Sequence, residues 1–145
     1  MIKRICLAIS ALLLLSADGT ADQLDLHNRA TKQQVLSIVS GSVGEFSNGW
    51  TRTYRKDGSL HASCGIDWVE SEGTWKVTAD GKLCNMYDSY QTPFICGGRD
   101  GFCCWQVYTV PESPFQLQYI GKFSGKINTA TFTKANWSNQ ASNQN

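Results

Sequence analysis

Six cysteines, two histidines and one tight group of acids are the side chains here that could do covalent, metal or acid–base chemistry. Cys6 lies near the N-terminus, while Cys64, Cys84, Cys96, Cys103 and Cys104 are spread over the rest of the chain. In an oxidising compartment such cysteines are disulfide candidates first and metal ligands second. Five cysteines allow two bonds at most, and choosing the free thiol five ways with three pairings of the other four leaves fifteen connectivities. The adjacent Cys103 and Cys104 could form a redox pair, but strand neighbours point to opposite faces and more naturally bond different partners.

His27 and His61 are the only histidines. His61 and Cys64 have a ligand-like spacing, yet a separation of three on a strand puts them on opposite faces, and no second pair of zinc-site spacing follows. No metal and no cofactor are expected. Nor does the chain carry a Gly-x-Ser-x-Gly, His-Glu-x-x-His or Cys-His signature, so no catalytic residue is assigned. Asp67, Glu70 and Glu72 could still supply two carboxylates for glycoside cleavage, which keeps a small secreted carbohydrate hydrolase as the alternative reading. Three acids on a polar connector are more often simply solvated. The candidate binding residues are Tyr90, Arg99, Asp100 and Phe102, all in or beside a glycine-rich loop. A loop stapled by disulfides loses less freedom when it meets a partner.

These residues need elements to hold them. Lys3 and Arg4, an apolar run over residues 5–15 and small polar residues to Ala21 have the layout of a secretory signal, with cleavage after Ala21 and, as second choice, after Ala17. The apolar run is shorter than the roughly 20 residues of a spanning helix. Cys6 would leave with the signal. Without residues 1–21, thirteen basic and twelve acidic residues become eleven and eleven. A neutral chain with no basic run lacks the clustered charge that nucleic acid or an anionic membrane surface requires. The expected product is exported, periplasmic or secreted, with no membrane span, and monomeric.

Residues 22–41 read as a strap and a short helix. Thr31 and Gln34 match a capping box, Val35, Leu36, Ile38 and Val39 form an apolar stripe, and Gly41 is a natural stop, which predicts a helix over residues 32–40. Residues 42–132 switch to short alternating runs punctuated by Asn48-Gly49, Asp57-Gly58 and Asp80-Gly81. The last of these joins Thr74 to Val77 to Leu83 and Cys84 as a hairpin. Seven or eight such strands predict a mainly β fold, a small antiparallel up-and-down barrel of about eight strands with one N-terminal helix. Trp50, Trp75, Tyr87, Trp105, Phe115 and Tyr119 are expected to fill its core, and residues 133–145 to form a flexible tail.

Val35 to Gly41, Tyr54-Arg55-Lys56-Asp57-Gly58, Gly73-Thr74-Trp75, Leu83-Cys84 and Cys104 together resemble the pattern of a family of small exported bacterial proteins of unknown function. The resemblance covers residues 30–108 and implies a calycin- or lipocalin-like barrel, with no agreed activity to transfer. Cys64, Cys96 and the Cys103-Cys104 pair depart from that pattern and suggest an extra staple.

Cys84 in the second arm of the hairpin and Cys104 at the head of the next strand can be brought within disulfide range by antiparallel pairing. Cys96 with Cys103 would then close the long loop and leave Cys64 free, although Cys64 with Cys96 is a rival pairing. The function expected is non-catalytic binding, either of an envelope or extracellular protein or of a small apolar ligand inside the barrel.

Overall fold

Several of the alternating runs turn back on their neighbours at a glycine, and the ring of strands that results has no free edge. The computed structural model describes residues 24–64, 69–88, 101–122 and 124–136. Strands β1 (Ser42–Phe46), β2 (Trp50–Tyr54), β3 (Ser59–Cys64), β4 (Val69–Val77), β5 (Lys82–Tyr87), β6 (Cys103–Val110), β7 (Ser113–Ile120) and β8 (Ile127–Lys134) pair antiparallel in chain order. The barrel closes where β1 meets β8, with Gly44 opposite Phe132. Closure satisfies every strand's ladder and removes the exposed edge that would otherwise recruit other chains. The expected eight-stranded barrel with one short helix is the fold observed. The signal-like residues 1–21 lie outside the described residues.

Turn chemistry explains the register. Gly58 and Gly81 sit at φ +88° and +82°, a left-handed conformation that an Asp-Gly turn supplies at no steric cost. Gly81 has a second reason to lack a side chain, because a Cβ there would run into the Ala30 carbonyl. That close approach seats the N-terminal strap on the β4–β5 hairpin. The strap is held further by Ala30 N–H donating to the Val107 carbonyl at 3.0 Å and by an exposed Arg29–Asp80 ion pair.

Helix α1 (Lys32–Val39) begins at a complete capping box: Thr31 Oγ1 accepts from Gln34 N–H, and Gln34 Oε1 accepts from Thr31 N–H. It touches β1, β4, β5 and β7, strands spaced around the ring, so it lies across one end of the barrel. Val35 and Val39, one helical turn apart, are fully buried against that end. Leu36 is exposed, so the apolar stripe is narrower than expected. At the helix C-terminus Lys134 Nζ donates to the carbonyls of Ser37, Ile38 and Ser40 at 2.7, 3.2 and 2.8 Å. Thr133 and Lys134, assigned to the tail from sequence, therefore belong to β8, and Lys134 ties that strand to the helix. Residues 137–145 lie outside the described residues.

The barrel interior holds Phe46, Tyr54, Leu60, Trp75, Leu83, Val107, Leu117, Tyr119 and Phe132 as one apolar cluster. Edge-to-face pairs link them, with Tyr54 and Trp75 centroids 5.5 Å apart and Phe46 and Phe132 6.1 Å apart. Trp75 Nε1 donates to the Arg55 carbonyl, so the indole is buried without losing its hydrogen bond. Burying each of these large side chains contributes about 1.5–3 kcal/mol. Trp50, Tyr87 and Trp105 pack partly buried against the cluster. Phe115 does not join it: at 58% exposure it is on the surface, contrary to its place in the alternation with Leu117 and Tyr119. It stands near the start of β7, beside the register shift between Thr109 and Val110 of β6, where the regular ladder is interrupted.

Candidate functional site

Period-two alternation decides which side chains enter the barrel, and on β2 it carries a charge inside. Trp50, Arg52 and Tyr54 share one face of that strand; Tyr54 is fully buried and Arg52 retains only 9% of its surface. On β5 the inward set is Leu83, Asn85 and Tyr87, with Asn85 fully buried. Tyr119 enters from β7 and Trp105 from β6. These strands surround a shared cavity lined by Phe46, Arg52, Asn85, Trp105, Tyr119 and other core residues.

The guanidinium of Arg52 is held mainly by aromatic faces. Its Cζ lies 4.1 Å from the Phe46 ring centroid and 5.9 Å from those of Trp50 and Trp105. Nε donates to Tyr87 Oη at 2.8 Å. Among the described residues no Asp or Glu forms an ion pair with it; the carboxylates near other cations, Glu72 with Arg55 and Asp80 with Arg29 and Lys82, sit on the surface. Burial works against the charge, and the oxygens of Tyr54, Tyr87 and Tyr119 outweigh it, so the Arg52 pKa is raised. Burial pushes the Tyr54 hydroxyl up to about 12, against the opposing pull of Arg52, and raises Tyr119 in the same way. At neutral pH the Tyr54 hydroxyl is therefore uncharged while Arg52 keeps its charge.

Two polar atoms in this cluster have no hydrogen-bond partner. Asn85 Nδ2 donates to Tyr54 Oη at 3.2 Å, but Asn85 Oδ1 is unpartnered, and so is Tyr119 Oη. Tyr119 feels the Arg52 charge without meeting hydrogen-bond geometry with it. An unsatisfied buried polar group costs about 1–3 kcal/mol, so two together with a buried cation mark a place where a ligand or ordered water would be held. Space open to the centre of a water molecule amounts to only about 10 Å³. That is room for roughly one water. The interior is filled by side chains, as a short chain should fill it, and what remains is small and polar.

No family model matches this chain, and neither the curated proteins nor the solved structures hold a match to it.

Of the residues singled out from sequence, only some lie among the described residues. Tyr90, Arg99, Asp100 and Cys96 lie outside the described residues. Phe102 is half-buried just before β6, with the Lys76 ammonium 3.8 Å above its ring. Cys84 and Cys104 are directly opposite in the β5–β6 ladder and disulfide-bonded, with Cα atoms 4.0 Å apart. Cys103 is also disulfide-bonded, while Cys64 is a free thiol. Glu70 and Glu72 are exposed on β4, out of register with the inward Trp75, and Glu72 accepts from His61 and pairs with Arg55. Asp67 lies outside the described residues. Among the described residues no group of three His, Cys, Asp or Glu could hold a metal ion.

The inward set Arg52, Asn85 and Tyr119 was missed, although the sequence carries a signal for it. In Trp50-Thr51-Arg52-Thr53-Tyr54 a charge sits midway between two aromatics that alternation sends inward, and an inward charge on a barrel strand is a site candidate in its own right.

Proposed function

We propose that this chain is an exported, non-catalytic binding protein that holds a small polar ligand inside the barrel. One observation carries the reading: a buried guanidinium with no carboxylate partner among the described residues shares its cavity with two unpartnered polar atoms. A chain selected only for stability would do better with apolar side chains at these positions, since buried charge is costly unless paired. Trp50 and Tyr87, the first residue of β2 and the last of β5, flank Arg52 at the end away from α1 and are only half-buried. The apolar ligand expected from sequence fits this interior poorly, because aromatic side chains already occupy the space it would need.

Export is supported by the disulfides, which persist in oxidising compartments, and by the signal-like N-terminus. Among the described residues no helix is long and apolar enough to cross a membrane. Membership of the small exported family whose motifs the chain resembles is part of the same proposal, supported by the closed barrel and by the bond from Cys84 to Cys104. A second reading, capture of an envelope or extracellular protein by the loop between β5 and β6, draws support from the two disulfide-bonded cysteines that anchor its return at Cys103 and Cys104.

Nuclear magnetic resonance of the oxidised full chain tests the first reading. Titration with small polar compounds should shift the resonances of Arg52, Asn85 and Tyr119 before any on the outer face. Shifts confined to the outer face or to the loop would sink it.

A further inference from the structure

We propose that the barrel cavity is a site for one small monovalent anion of halide size, held by Arg52, Tyr119 and Asn85. This rests on the interior-ligand reading above and names the chemistry of the ligand.

Charge comes first. Arg52 is a cation with 9% of its surface exposed, and none of the acids in the described residues neutralises it. Aromatic faces at 4.1 and 5.9 Å and one phenol oxygen stabilise a guanidinium but add no negative charge. Arginine carries five N–H donors in a planar fork, of which Nε is engaged by Tyr87 Oη. The cluster therefore presents one positive charge to the cavity, carried on a group with more donors than phenol oxygens around it.

The two unpartnered atoms complete the donor set. Tyr119 Oη can donate its proton to an acceptor beside Arg52. Asn85 fits after a half-turn of its amide about the terminal bond: Oδ1 then accepts from Tyr54 Oη, now 3.2 Å from Nδ2, and Nδ2 faces the cavity as a donor. Both contacts to Tyr54 are hydrogen bonds, so the exchange keeps that interaction and turns an orphaned acceptor into a donor. A guanidinium, a phenol and an amide converging on one space form a cradle for an acceptor.

Size and valence narrow the ligand. About 10 Å³ of free space admits one water-sized group. One cation matches one negative charge, and sulfate or phosphate would bring excess charge and bulk into an apolar surround. An alkyl group has no room among Phe46, Leu117 and Phe132, so a carboxylate that bears one gains nothing over a halide.

Thermal unfolding and tryptophan fluorescence of the oxidised full chain test this at constant ionic strength. Sodium chloride, bromide, acetate, decanoate and sulfate are compared, with neutral acetamide as control. Chloride should raise the unfolding temperature with a saturable dose response and acetate should do so less, and bromide should quench Trp105 fluorescence with its own stabilisation midpoint. Tyr119→Phe keeps the ring and should weaken the anion about tenfold or more. Asn85→Asp places a carboxylate beside the cavity and should make stability independent of added anions. Stabilisation by sulfate equal to that by chloride, or an unchanged midpoint in Tyr119→Phe, would overturn the anion site. Acetamide binding without anion binding would overturn it too, and would leave the interior-ligand reading standing. No response to any compound would remove both.

Discussion

The Arg52 guanidinium lies 4.1 Å above the Phe46 ring, inside a barrel whose other inward side chains are almost all apolar. The two residues come from adjacent strands, β1 and β2, and the contact replaces water on one face of a charge that has no carboxylate partner among the described residues. Removing the charge and removing the volume should therefore have opposite consequences.

Arg52→Met keeps much of the volume and deletes the charge. In buffer without a bound anion it should be as stable as the parent or more stable, by up to about 1–4 kcal/mol, as when buried ionic groups are exchanged for apolar ones. Arg52→Ala leaves a hole beside Phe46 and should lose about 2–4 kcal/mol. Urea unfolding of the two variants side by side reads the difference; a methionine variant less stable than the alanine one would contradict it.

Cys84 and Cys104 close a segment of 20 residues between facing strands. Replacing both with alanine should cost about 3 kcal/mol. Non-reducing peptide mapping of the parent should show the two cysteines joined, and denaturant unfolding of the double variant measures the loss.

Lys134 Nζ satisfies three carbonyls at the end of α1. Those carbonyls have no partner within the helix, and a cation there also complements the helix dipole. Lys134→Met should lower stability by about 1 kcal/mol and raise amide exchange in residues 35–41 more than in the barrel. Uniform exchange across both would show that the lysine does not hold the helix.

Tyr54 gives the fold an alkaline limit. Its hydroxyl ionises near 10 in an unfolded chain and at about 12 in the barrel, chiefly because burial disfavours the phenolate. The folded state holds the proton more tightly, so the stabilisation is complete below pH 10 and is lost as pH rises from 10 through 12. Tyr54→Phe should flatten this fall, an effect of about 3 kcal/mol at most. Chemical denaturation at pH 9, 10 and 11 makes the comparison.

Much of the architecture was legible before any coordinates. Asp57-Gly58 and Asp80-Gly81 mark turns because only glycine adopts their backbone cheaply, and both are turns with φ above +80°. Thr31 and Gln34 announced the helix start, and both halves of the capping box are formed. The Cys84–Cys104 bond was one expected pairing among several the sequence left open, and the β5–β6 register places the two cysteines opposite each other. Local chemistry governs the turns and the helix cap.

The site was a different problem. Arg52, Asn85 and Tyr119 are 33 and 34 residues apart along the chain, and each alone looks ordinary: a strand arginine, a strand asparagine, a core tyrosine. Alternation tells which residues share a face within one strand. It cannot tell which face becomes the inside, or which side chains of β2, β5 and β7 meet across it. Closure of β1 on β8 and the placing of α1 over one end make those decisions, by removing water from one side of every strand at once. The sequence by itself thus determined the turns, the helix cap and the alternation that makes the strands, because short-range sterics and hydrogen bonding specify them. Only the tertiary structure decided that Cys84 faces Cys104 and that Arg52 is buried without a countercharge among the described residues, because register, burial and pairing are properties of the closed barrel.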